Sequence, residues 1–176
     1  SNSIEADKSY EIDTLILATG FDAMTGALTS IDIIGRGGAK LKDQWESGAK
    51  SYLGLGIANF PNLFTVTGPG SPSVLSNMMP SIEQHVNWIT DCIDWMETND
   101  KKVIESSKTA EDEWMVLVNE IADMTIFTDT KSWYNGSNID TKAKAFLPFI
   151  GVPVYAEMLE EVVTEDYKGF IFDRPN

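Results

Sequence analysis

The chain has 176 residues, 43% hydrophobic and 10% aromatic, enough to bury one sizeable core. Its formal charge of −14 and pI near 4.3 argue against nucleic acid and against an anionic membrane surface as partners. Cys92 is the one cysteine, no apolar run has the length of a membrane span and no signal peptide is evident, so a cytoplasmic protein with no membrane attachment is expected.

Residues 4–5 and 10–13, joined by a polar turn, read as a hairpin with half of one arm missing. This predicts that the chain begins inside a domain. Residues 14–20 form a continuous apolar run ending in Ala18-Thr19-Gly20. A strand without polar alternation is expected to be buried on both faces, as in a parallel sheet. A helical turn is expected over 25–30, a weak strand over 31–34 and a plain turn at Gly35-Arg36-Gly37-Gly38. Residues 41–45 suit a short helix with Trp45 as a core anchor.

Residues 62–67 read as a short buried strand, and Gly68-Pro69-Gly70-Ser71-Pro72 follows it. An amphipathic helix over 80–97 comes next, with Ile82, Val86, Ile89, Ile93 and Met96 as its core stripe. Strand, glycine-rich loop and helix start make a corner where ligands collect in α/β proteins. Free N–H groups and the positive helix end suit an anionic or electron-rich group there, and glycine permits close backbone approach. An ordinary strand-to-helix turn would show the same composition. Within this helix Cys92 reads as a small core residue and His85 as a lone histidine without metal-ligand spacing.

A short extended stretch is expected at 103–105. Thr109 reads as the cap of a second helix whose acids Glu111, Asp112 and Glu113 form a solvated first turn. Its stripe is Trp114, Leu117, Val118, Ile121 and Met124. Residues 132–138, including Trp133, are aromatic and amide-rich, suited to stacking on a planar ligand or to a packed loop. Pro153 opens a third helix with Tyr155, Met158, Leu159 and Val162 on its buried side, and residues 167–172 read as a terminal strand. The sequence contains no Gly-x-Gly-x-x-Gly, no Walker loop, no metal-ligand cluster and no convincing nucleophilic triad.

Residues 13–28 around Ala18-Thr19-Gly20-Phe21-Asp22, residues 60–78, residues 81–89, residues 132–138 (Ser132-Trp133-Tyr134-Asn135-Gly136-Ser137-Asn138) and Tyr167-Lys168-Gly169-Phe170 match one pattern in order. The chain resembles the C-terminal portion of Baeyer–Villiger-type flavin monooxygenases, the phenylacetone and cyclohexanone monooxygenases. The resemblance implies an α/β fold, part of a Rossmann-type flavoprotein with two dinucleotide-binding domains. In this part it implies three amphipathic helices and a few short strands. It also implies that residues 1–176 complete the FAD domain, with 1–20 as the return strand from the NADP domain. Residues 60–98 would then be the FAD-facing strand, loop and helix, and 125–151 a cofactor and substrate region.

The implied intact enzyme uses FAD and NADPH to insert one atom of O₂ beside a ketone carbonyl, giving an ester or lactone. Its glycine fingerprints and catalytic residues would lie upstream, so no catalytic or metal-binding residue is expected here, and the fragment alone is expected to be inactive and free of FAD and NADP. Carried over by position, Met78 and Asn77 would meet the flavin, Trp133 the NADP, and Thr19 and Gly20 the cofactors through their backbone. Leu75, Phe146 and Phe149 would line the ketone pocket. Alternatives are an N- or S-oxidising flavin monooxygenase, or a non-catalytic fragment that self-associates through exposed core as a homo-oligomer.

Overall fold

The computed structural model describes residues 11–18, 22, 25–72, 76–126, 149 and 151–173. Among these, short helices α1 (Gly26–Thr29) and α2 (Leu41–Gln44) precede the long helix α3 (Met78–Thr98). Strand β1 (Ile104–Ser106), helices α4 (Lys108–Asp123) and α5 (Val152–Thr164), and strand β2 (Phe170–Phe172) complete the order. β1 and β2 pair antiparallel, Ile104 opposite Phe172 and Ser106 opposite Phe170. The short extended stretch and the proline-opened third helix therefore form where the sequence puts them, and the terminal strand is confined to the second half of 167–172, because Tyr167 and Gly169 have φ of 59° and 88°.

The main core gathers Trp88, Cys92 and Met96 from α3, Trp114 and Val118 from α4, and Tyr155 and Leu159 from α5. A smaller cluster joins Leu41, Trp45, Ala49, Ile57 and Phe60, with Trp45 as the expected anchor. Residues 51–58 thread between the two, all buried. A buried loop must find partners for its backbone polar groups, and this one uses distant side chains beside its own turn bonds. Leu53 O accepts from Tyr155 Oη at 2.7 Å, and Gly54 O from Thr65 Oγ1 at 2.8 Å. Ala58 N–H donates to Glu111 Oε1 at 3.0 Å, and Asn59 N–H to Glu105 Oε1 at 3.1 Å.

Those two glutamates correct the sequence reading. Glu111 is not in a solvated helix start: it is fully buried, because its carboxylate is the acceptor that the 51–58 loop needs. The cap of α4 is Ser107, whose Oγ accepts from Ala110 N at 3.1 Å, two residues before the expected Thr109. Arg36, in the glycine turn, reaches in to pair with the buried Glu105, so that turn is an ionic anchor as well as a bend.

Glu111 Oε2 has no hydrogen-bond partner among the described residues, and burial raises its pKa despite the Ala58 bond and Lys108. A raised carboxyl pKa in the folded state costs stability where the group is ionised, and the cost is relieved as pH falls. Wild type is therefore expected to gain stability on Glu111→Gln as pH falls through the raised pKa. Glu111→Ala, which orphans Ala58 N–H, is expected to be about 2 kcal/mol less stable than Glu111→Gln across the pH range, since neither variant titrates at this position. Urea denaturation of the three proteins across pH checks both statements.

Three further expectations change. The core side of α3 is Ser81, His85, Trp88, Cys92 and Met96. Of the apolar stripe expected there, Met96 is buried and Ile89 packs against the core, but the buried phase lies one residue earlier elsewhere and leaves Val86 47% and Ile93 44% exposed. One residue is about 100° of helix, and the phase is set by aromatic and hydrogen-bonding partners rather than by aliphatic count. Residues 62–67 do not form a strand. Asn62 and Thr67 have φ of 56° and 52°, outside the extended region, and only Phe64 makes an isolated bridge, to Gly56. Residues 11–18 have no regular structure, and Leu15, Ile16 and Leu17 are 69–83% exposed, not buried on both faces. A doubly buried strand needs neighbours on both edges and both faces, and no described residue supplies them.

Candidate functional site

The corner before α3 divides into a sealed half and an open half. Residues 68–72 are buried. Thr67 N–H donates to His85 Nδ1 at 2.9 Å, and Gly68 N–H donates to Gly54 O at 3.2 Å. Gly68 O accepts from Ser71 Oγ at 2.7 Å, Pro69 O accepts from Ser51 Oγ, and Gly70 O accepts from Trp114 Nε1 at 3.1 Å. A Cβ on Gly68 would lie 2.3 Å from Thr65 Oγ1 and 2.5 Å from Gly54 O. The protein's own atoms therefore make the close approach that the sequence reading reserved for a ligand at these glycines.

His85 is the pin of this sealed half. It is fully buried, and its Nε2 lies 2.7 Å from Tyr155 Oη. Nδ1 accepts from Thr67, so Nε2 carries the proton and donates to Tyr155, whose hydroxyl donates to Leu53 O. Burial of the neutral ring lowers its pKa to about 4. Local pattern carries no sign of this role, because its partners are 18 and 70 residues away. The available signal was the alternative helical phase Ser81, His85, Trp88, Cys92.

The open half is the helix start. Asn77 is exposed and caps α3, its side chain accepting from Met79 N at 3.1 Å. Pro80 has no N–H. Among the described residues Met78 N–H has no partner, so it is a main-chain donor at the positive end of a 21-residue helix. From Pro80 a groove of about 770 Å³ runs between α3 and α5, past Gln84, Trp88, Val152 and Ala156. The structure thus sets Asn77 as the cap and Met78 as the first residue of α3, at one end of this groove.

Phe149 lies elsewhere. It is 1% exposed, and its ring stacks on Trp114 at 5.1 Å and 14°. Its N–H donates to Ser71 O at 3.2 Å, so it clamps the corner from behind. Thr19, Gly20, Leu75, Trp133 and Phe146 fall outside the described residues. Among the described residues no helix is long and apolar enough to cross a membrane, and no group of three metal-ligating side chains occurs.

No family model matches the chain. A Baeyer–Villiger monooxygenase of Pseudooceanicola batsensis is 39% identical over 172 residues, 97% of this chain and 31% of the relative. The chain is homologous to the Baeyer–Villiger-type monooxygenases. A cyclohexanone monooxygenase from Rhodococcus sp. Phi1, solved bound to NADP⁺, shares the fold of this chain with a TM-score of 0.88 at 40% identity. That match covers 94% of this chain and 31% of the other. Phenazine N-monooxygenase PhzNO1 of Lysobacter antibioticus is 42% identical over 163 residues, 92% of this chain and 30% of the relative. The segment thus spans about 30% of the length of the curated relatives it matches.

Proposed function

We propose that this segment is the C-terminal, cofactor-facing wall of an FAD- and NADPH-dependent Baeyer–Villiger monooxygenase that acts on a small ketone in the cytoplasm. The observation that carries the reading is the Met78 N–H at the start of α3, without a partner among the described residues, on a chain alike to such enzymes over nearly its whole length. FAD, once reduced by NADPH, supplies the activation of O₂. The segment's part is binding and orientation. Met78 N–H and the positive helix end hold a carbonyl edge of the flavin, and Asn77 fixes the helix start that aims that donor.

From the resemblance, Leu75 and Phe146 line the ketone pocket and Trp133 covers NADP. Thr19 and Gly20 pass close to the cofactors through their backbone. Phe149 acts from behind, setting Ser71 and Trp114 instead of forming pocket wall.

The exposed runs at Leu15, Ile16 and Leu17 and at Val86 and Ile93 fit a surface covered by the remainder of a longer protein. Left uncovered, they favour self-association of the segment, which light scattering at two concentrations detects. An N-oxidising activity is the second reading, favoured by the 42% identity to the phenazine N-monooxygenase.

Complementation tests the function. The segment is mixed with the Pseudooceanicola batsensis relative lacking its matched portion, together with FAD and NADPH. Oxygen uptake with cyclohexanone, yielding lactone and requiring both polypeptides, is expected. N-oxide formed from phenazine without lactone selects the second reading. Turnover by the segment alone, or none in a mixture that has associated, overturns the assignment.

A further inference from the structure

A second cavity, of about 290 Å³, lies between α4 and α5, away from the Met78 corner. α4 contributes Glu113, Trp114 and Leu117, spaced to share one helix face, and α5 contributes Met158 and Glu161. Tyr52 closes the floor. Its ring meets that of Trp114 edge to face, centroids 6.4 Å apart at 88°. The Tyr52 hydroxyl is already committed, donating to Lys168 O at 3.0 Å. The remaining lining is aromatic and aliphatic surface with two carboxylates, Glu113 and Glu161, and one ammonium, Lys168.

Those carboxylates are not neutralised. Among the described residues neither Glu113 nor Glu161 makes an ion pair. Lys168, which also lines the cavity, is held by Glu165 at 2.5 Å with its side chain 65% exposed, turned toward solvent and away from Glu113 and Glu161 as an ion-pair partner. Negative potential reaches into the cavity floor: burial first, then Glu113, Glu161 and Glu165, push the Tyr52 phenol up to about 12.

We propose that this cavity binds a small organic cation of the alkylammonium class, its charged head against the Tyr52 and Trp114 rings and between Glu113 and Glu161. Apolar walls disfavour a strongly hydrated inorganic ion, whereas a quaternary ammonium is weakly hydrated and is attracted by ring faces and carboxylates alike. The volume sits at the low end for small-molecule sites, which limits the ligand to a few carbons around the charge.

The probe is choline, with its uncharged carbon isostere 3,3-dimethylbutan-1-ol as comparison, at matched ionic strength. Binding is read on the full 176-residue chain from the Trp114 indole N–H resonance. Choline is expected to saturate that shift at millimolar concentration, with the alcohol at least about tenfold weaker. The double variant Glu113→Gln, Glu161→Gln changes only exposed side chains. It is expected to weaken choline about tenfold and leave the alcohol unchanged. Leu117→Trp, which fills the cavity, is expected to remove both. No saturable choline shift, equal binding of choline and the alcohol, or choline affinity untouched by the double variant would each overturn the site.

Discussion

Tyr155→Phe is expected to lower the stability of the chain by about 2–4 kcal/mol at neutral pH, although it removes a single oxygen. That oxygen accepts from His85 Nε2–H and donates to Leu53 O, both inside the main core. Phenylalanine fills the same volume, so no cavity forms, but a buried N–H and a buried C=O lose their partner together. Unmade bonds of this kind cost more than made ones contribute. His85→Ala costs at least as much, because it orphans Thr67 N–H and adds a void. Combining the two substitutions is expected to cost less than the sum of each alone, since they break one chain of bonds.

The same histidine makes the stability pH-dependent, with a definite sign. Its folded pKa of about 4 lies below the ordinary 6.5, so the unfolded chain binds the extra proton first. Its contribution is complete above pH 6.5 and is lost as pH falls toward 4, about 3 kcal/mol in all. Asp112 and Asp173 also have lowered pKa values, Asp112 chiefly through its bond from Lys108 and Asp173 through Lys102 N–H. Their contributions disappear mainly below this window. Glu111 works in the opposite direction, so the comparison is made in a Glu111→Gln background. There, His85→Gln is expected to flatten urea midpoints between pH 6.5 and 4 relative to His85.

The second large effect is at Gly54. Its φ is +71°, and a Cβ there would lie 2.4 Å from Ser71 Cβ and 3.0 Å from Ser71 N. Gly54→Ala therefore meets both a left-handed backbone and a wall of the corner that cannot retreat, and is expected to cost about 3 kcal/mol or more. Gly37 supplies the control. Its φ is +62°, but nothing lies within 4 Å of the added Cβ, so Gly37→Ala is expected to cost only about 1 kcal/mol. Urea midpoints with unchanged m-values measure both. Equal losses at the two positions would mean that Ser71 does not pack against Gly54 as described.

Sequence periodicity located α3 to within two residues at its start and one at its end, and it placed Trp45, β2 and α5. These are local matters of helix breakers, proline position and apolar clustering. It missed the phase of α3 because Ile82, Val86, Ile89 and Ile93 outweigh Ser81, His85 and Cys92 on any hydrophobicity count. Only Tyr155 and Thr67, far along the chain, make His85 tolerable inside. Glu111 and Glu105 were hidden for the same reason, since their partners are backbone N–H groups of a loop with no periodic signature. A helix start just after the glycine-rich loop was legible through loop chemistry, but two residues later than Met78, where the helix begins. That Gly68 and Gly70 are closed while Asn77 and Met78 are open was not, because the closing bonds come from Ser51, Trp114 and Phe149. Residues 14–20 show the reverse case: a clear strand pattern whose described part has no neighbour to pair with.

The nearest test of the flavin-facing wall is the amide resonance of Met78 in labelled segment assembled with the complementing part of the relative. Adding FAD is expected to move that resonance and slow its hydrogen exchange, while the amide of Met79, already bonded to Asn77, barely changes. A Met78 amide that ignores FAD in an assembly that has bound it would contradict the placement of this helix start at the flavin.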